Sequence, residues 1–109
     1  VNADGRGTPQ GDACESRALA EVLPGVPLTA PKSFFGNAGA ATGALELTAS
    51  LVLAGEKTVP RTLNHEFPDP ECPAEVITAA DYRTEENIFL SLNYTPAGQA
   101  TAVIVETTG

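Results

Sequence analysis

Positive charge is scarce in this chain: six Lys and Arg stand against fourteen Asp and Glu, a formal net charge of -8. The cations are scattered singly, so no basic stripe exists to neutralise nucleic-acid phosphates or an anionic lipid surface, which argues against both as partners. Histidine is scarcer still, with His65 alone and in a proline-rich turn. A Ser-His-Asp set cannot be built on it. Glu66, Asp69, Glu71 and Cys72 lie near it without the ligand spacing of a zinc site, and Gly5-Arg6-Gly7 lacks the rest of a phosphate loop. No metal and no organic cofactor is expected. Two cysteines, Cys14 and Cys72, sit far apart without CxxC spacing. That pattern predicts unpaired thiols and a reducing compartment, with the cytoplasm as the default location. Long apolar runs are also missing. Ala38 to Ala54 is interrupted by Thr42, Glu46, Thr48 and Ser50 and falls short of the ~20 residues that span a bilayer.

What remains is a chain of 109 residues, enough for one small domain and no more. It opens on Val1 with no leader pattern, in what reads as the tail of a strand, so a segment of a longer protein is expected. Gly5 and Gly7 end that strand in a turn. Asp12 with Glu15 forms a capping-box-like pair that predicts a helix running to Leu23, where Pro24, Gly25 and Pro27 stop it. Val26 to Ala30 reads as a short strand delivering Pro31 and Lys32. After Gly36, the spacing of Ala40, Ala41, Ala44, Leu45, Thr48, Leu51 and Val52 predicts a helix ending at Gly55, its small residues suited to tight burial. Thr58 to Asn64 reads as extended and Glu75 to Ile77 as a short strand. Asn87 to Tyr94 and Ala100 to Glu106 read as a β-hairpin joined at Thr95 to Gln99. The expected class is mixed α/β, with a buried central helix between strands.

Two segments carry chemical information. One is Val1-Asn2-Ala3-Asp4-Gly5-Arg6-Gly7-Thr8-Pro9 followed by Asp12; the other is Pro31-Lys32-Ser33-Phe34-Phe35-Gly36-Asn37 running into Ala38-Gly39-Ala40-Ala41. They resemble the two histidine-bearing motifs of the β-ketoacyl-acyl-carrier-protein synthases (ketosynthases), with Asp4 at the first histidine position and Asn37 at the second. Asp12-Ala13-Cys14-Glu15-Ser16-Arg17-Ala18, Val59-Pro60 with Thr62-Leu63-Asn64, and Pro68-Asp69-Pro70-Glu71-Cys72 are similar to further segments of that family, in the same order. The likeness covers most of the chain. It implies the C-terminal half of a thiolase-like α/β fold, whose nucleophilic cysteine lies in the other half, so neither Cys14 nor Cys72 inherits that role.

In the family the two histidines polarise a malonyl thioester and stabilise the enolate formed as carbon dioxide leaves. An imidazole N–H aimed at a developing oxyanion supplies several kcal/mol. An ionised Asp4 only accepts hydrogen bonds, whereas the amide of Asn37 still donates. The resemblance assigns Lys32 to the family's lysine beside the second histidine, and Thr8 to the second of two threonines that contact the pantetheine arm, Arg6 replacing the first. It sets the stretch from Tyr94 to Ala97 at the glycine-rich acyl gate. On the residues alone, Asp4 suits a turn, Lys32 a solvated charge, Asn37 a helix cap and Thr8 a helix entry.

Three functions stay open at this stage. The chain is part of a catalytically degenerate ketosynthase-family subunit, similar to a chain length factor, in fatty-acid or polyketide synthesis. Alternatively, it completes an active or altered 3-oxoacyl-acyl-carrier-protein synthase once joined to its N-terminal half. As a third option it is a structural or dimerisation segment. The implied partners are acyl carrier protein, the N-terminal half and a second ketosynthase-type subunit. Half of a two-layered fold alone is expected to aggregate or to need a partner.

Overall fold

The computed structural model describes residues 1–108. The first helix, α1, spans Pro9–Val22. It begins three residues before the expected cap at Asp12, because Pro9 takes the first helical position, where its missing N–H and fixed φ cost nothing. The expected capping box therefore does not form. Asp12 and Glu15 instead reach back to the preceding loop: Gly7 N–H donates to Asp12 Oδ1 (3.2 Å), and Asp4 and Gly5 N–H donate to the two oxygens of Glu15 (2.6 and 2.9 Å). Those loop amides have no strand partner, and the carboxylates supply the acceptors. The helix ends where expected, at Pro24-Gly25.

A short helix, α2, covers Lys32–Phe35, and a 3-10 turn at Gly39–Ala41 leads into α3, Thr42–Gly55. The hairpin is as read from the sequence: β1 (Ile88–Tyr94) pairs antiparallel with β2 (Ala100–Glu106), Tyr94 facing Ala100 across the turn. Three shorter extended segments widen the sheet through single bridges. Asn2 bridges Ser91 of β1 on one side and Thr29 on the other, and Leu28 bridges Val76, all in parallel. Backbone bonds of 2.7–3.0 Å hold them, among them Asn2 N to Leu90 O and Leu28 N to Glu75 O. Numbered by chain order, the five segments lie in the sequence 3-2-1-4-5. The Val26 to Ala30 and Glu75 to Ile77 readings thus survive as bridges too short for regular strands. The Thr58 to Asn64 stretch makes one bridge, Thr58 to Arg83, before Asn64 turns at φ 61°.

A small core of Ala3, Leu19 and Leu28, with Val1, Leu23, Ala74, Val76 and Leu92 packed against it, joins α1 to the sheet. The central helix corrects the sequence reading. The buried residues of α3 are Thr42, Glu46 and Ser50, spaced four apart on one polar face. Leu45, Leu51 and Val52 are exposed (Val52 by 66 %), as are Ala40, Ala41 and Ala44. Apolar residues surround this helix on most sides, so their periodicity did not identify the face turned to the sheet. No helix among the described residues is long and apolar enough to cross a membrane, and Cys14 and Cys72 are free thiols.

Candidate functional site

Loops at the carboxyl ends of parallel strands are where α/β sheets place their sites, because side chains from adjacent strand ends converge there. Asp4 follows the first extended segment, Lys32 follows the Leu28 to Ala30 segment, and Asn93 lies at the end of β1. Glu46, on the second turn of α3, points to the same spot and is fully buried.

These four residues form one ion cluster. The Lys32 ammonium donates to the Asp4 carbonyl (2.7 Å), to Asp4 Oδ1 (2.9 Å) and to Glu46 Oε1 (2.9 Å). An ammonium has three protons, so every donor of Lys32 is engaged within the protein. Asn93 Nδ2 donates to Glu46 Oε2 (3.1 Å) and, more weakly, to Asp4 Oδ1 (3.4 Å). Arg6 Nε donates to Asp4 Oδ2 at 3.0 Å. A second guanidinium nitrogen of Arg6 donates to the Tyr94 carbonyl, and the guanidinium carbon stands 4.7 Å from the Tyr94 ring centroid, within cation–π range. Two cations thus balance two carboxylates.

Burial of the Asp4 carboxyl works to raise its pKa, but hydrogen bonds from Lys32 and Arg6, the Lys32 charge and the Asn93 amide together hold it below its ordinary 3.8. Asp4 is an ionised acceptor at neutral pH. Burial also raises the Glu15 pKa, against the bonds it accepts from Gly5 and Asp4. Tyr94 is pushed up to about 12 by burial and then by the charges of Glu15 and Asp4. Its buried hydroxyl has no hydrogen-bond partner among the described residues.

A cavity of about 500 Å³ opens over the cluster. Asp4, Arg6, Lys32 and Asn93 form its floor, the start of α3 and its preceding turn one wall, and Tyr94, Thr95, Gln99 and Thr101 of the hairpin the other. Asn37 is at the rim, exposed. Its Oδ1 accepts from Gly39 N–H (2.9 Å) and from Thr42 Oγ1 (3.1 Å), which leaves the amide NH₂ as a donor at the rim. Asn37 is not the cap of the run that follows: Ala38 and Ala41 stand at the N-caps of the 3-10 turn and of α3, and Asn37 instead closes a local turn onto the Gly39 amide. A second crevice, about 160 Å³ and mainly apolar, lies beside Val1, Ser50, Ala54 and Phe89 and holds none of the expected site residues.

Asp4, Lys32 and Asn37 are thus brought to one cavity. Thr8 is not: it sits exposed just before α1 and does not line the cavity. The solvated-charge reading of Lys32 is replaced by a buried residue, 7 % exposed, whose ammonium is held in the ion cluster. Sequence reasoning missed Glu46 and Asn93, and treated Arg6 only as a departure. One signal was available for Glu46: a lone carboxylate inside an apolar helix needs a buried cation. Among the described residues no group of three or more His, Cys, Asp or Glu is gathered as for a metal.

Two solved structures share this architecture. One is titled "Crystal structure of a Beta-ketoacyl synthase from Burkholderia phymatum STM815": TM-score 0.95 and 30 % identity, over 100 % of this chain and 27 % of that one. The other is titled "The ishigamide ketosynthase/chain length factor", with TM-score 0.91 and 29 % identity over 99 % of this chain and 27 % of that one. The fold is therefore the C-terminal part of a thiolase-like ketosynthase fold, as the resemblance implied. Among curated proteins, the 3-oxoacyl-[acyl-carrier-protein] synthase 2 of Synechocystis sp. (strain ATCC 27184 / PCC 6803 / Kazusa) is 32 % identical over 98 residues, 86 % of this chain and 24 % of the relative. Residues 1–66 match the family model for the beta-ketoacyl synthase C-terminal domain, and the chain belongs to that family. It spans about a quarter of the length of the relatives it matches.

Proposed function

We propose that this chain is the C-terminal domain of a ketosynthase-family subunit that binds acyl-carrier-protein thioesters in fatty-acid or polyketide synthesis without performing the two-histidine decarboxylation. The observation that carries this reading is the closed ion cluster. All three Lys32 protons are engaged by Asp4 and Glu46, and both Asp4 oxygens are held by cations. Where an enolate oxygen would need a donor, the floor offers an ionised acceptor instead. Asn37 remains as a rim donor for a thioester or amide carbonyl but has no proton to exchange near neutral pH.

Residues 1–109 act as one domain, joined to an N-terminal half and paired with a second ketosynthase-type subunit, in the cytoplasm. The phosphopantetheine arm of acyl carrier protein enters the cavity over Arg6 and Asn37. Thr8, outside the cavity, meets the arm only near its entrance. The names of the relatives support the thioester class, and the substitutions at positions 4 and 37 support the loss of catalysis.

The test uses the full-length protein with its partner subunit. Malonyl and acetyl carrier thioesters are expected to bind, with protection of the Asn37 and Gly39 amides from hydrogen exchange, and carbon dioxide release from the malonyl form is expected to stay at the buffer rate. Enzyme-dependent carbon dioxide release would refute the degenerate reading in favour of an active or altered synthase. Absence of any thioester binding would leave only a structural segment.

A further inference from the structure

The family resemblance places a histidine at position 4 and a threonine at position 6; this chain has Asp4 and Arg6. The two replacements touch each other. Asp4 Oδ2 accepts from Arg6 Nε at 3.0 Å, and the same guanidinium donates to the Tyr94 carbonyl and lies over the Tyr94 ring, 4.7 Å from its centroid. Tyr94 is the last residue of β1, and Thr95, next to it, closes the hairpin turn. Thr95 N–H donates to Gln99 O at 2.8 Å, Gly98 N–H to Thr95 O at 3.0 Å, and Gln99 N–H to Thr95 Oγ1 at 3.3 Å.

We infer that Asp4 and Arg6 are one unit, in which Asp4 orients Arg6 and Arg6 clamps the Tyr94 end of β1, fixing the Thr95 to Gln99 turn as a rigid wall of the cavity. Geometry supports this over a simple charge pair. A planar fork holds its two donors in fixed directions, one to the carboxylate and one to the carbonyl, while its delocalised face lies over an aromatic ring; an ammonium can donate to both oxygens, as Lys32 does, but has neither the fixed fork nor the flat face. Asp4 is half of the device because its second oxygen fixes the guanidinium plane. A chain with histidine at position 4 has no anion for Arg6 there, which accounts for the two positions differing together. Arg6 is on this account a positioning residue acting through Tyr94.

The test is residue-resolved amide exchange in the full-length protein without ligand, so a failure to bind thioesters would strike the proposed function and leave this measurement intact. Arg6→Ala is expected to speed exchange at Thr95, Gly98 and Gln99 by about tenfold, the effect of losing one charge-assisted hydrogen bond. Asp4→Asn should give a similar rise at the same amides, and Asp4→Asn/Arg6→Ala no more than either alone. Arg6→Lys should fail to restore protection. Exchange at Val103, which pairs with Ser91 in the body of the hairpin, should stay unchanged in Arg6→Lys, which leaves the Asp4–Lys32 pair intact. Wild-type exchange at the turn in Arg6→Ala, effects that multiply in the double variant, rescue by Arg6→Lys, or a uniform rise that includes Val103 in Arg6→Lys would each overturn the inference.

Discussion

The two faces of α3 reverse the usual order of a surface helix. Thr42, Glu46 and Ser50 are turned inward and buried, while Leu45, Leu51 and Val52 are outside and exposed. Each inward residue has a polar partner: Thr42 donates to Asn37 Oδ1, Glu46 takes Lys32 and Asn93, and Ser50 Oγ accepts from Asn2 Nδ2 at 2.5 Å. None of these outward residues belongs to the core cluster of Ala3, Leu19 and Leu28. The inward face is a polar floor complete within the chain, and the outward face is apolar surface of the kind that marks an interaction site. The lesson is that α3 is placed by its ion pair rather than by its leucines.

The largest expected break in that comparison comes at Lys32. Lys32→Ala leaves the Asp4 and Glu46 carboxylates buried without their shared cation and should cost about 3–5 kcal/mol of stability, measured by denaturant unfolding of the full-length protein. A cost near that of a surface substitution would mean the cluster is solvated. On the outer face, Leu51→Ala should cost about 2 kcal/mol in the full-length protein if another layer covers it. An unchanged midpoint there would show that the face stays in water. The 109-residue chain alone is expected to self-associate through the same surface. A monodisperse monomer in sedimentation, cooperative on unfolding, would contradict this.

Smaller effects sharpen the comparison. A Cβ on Gly43 would stand 2.8 Å from Asn93 Oδ1, so Gly43→Ala must displace the amide that holds Glu46. The crowding at Asn93 offsets the gain in helix propensity, and a net loss of about 1 kcal/mol is expected. A stabilised variant would show that Asn93 moves freely. Asn37→Ala removes the side-chain acceptor for the Gly39 amide and the Thr42 hydroxyl, an expected loss of about 0.5–1 kcal/mol in thermal unfolding.

Local signals in the sequence carried a good part of the fold. Pro24-Gly25 ended α1, and the β-rich runs on either side of Thr95 to Gln99 defined the antiparallel hairpin. The motif order led to Asp4, Lys32 and Asn37, which share one cavity. What stayed illegible was long-range or two-sided. Glu46 and Lys32 are fourteen residues apart and meet only after α3 docks. Asn93 and Asp4 are eighty-nine apart. The apolar spacing along α3 did not show which side turns to the sheet, because apolar residues on most sides of the helix leave no single hydrophobic stripe. Asp12 and Glu15 form a plausible capping pair locally, yet the loop amides of Asp4, Gly5 and Gly7 compete for the same carboxylates and hold them.

The central claim is that Asp4 is an ionised, cation-held acceptor where the family places a donor. With its folded pKa below the ordinary 3.8, its contribution to stability is present above that value and is lost as pH falls through the depressed folded pKa. The direct measurement is the carboxylate carbon titration of Asp4 by NMR in the full-length protein, assigned against Asp4→Asn. The account predicts that Asp4 stays ionised as pH falls through 3.8, for as long as the protein remains folded. A titration above that value, toward neutral pH, would make Asp4 a proton donor facing the cavity and contradict the account.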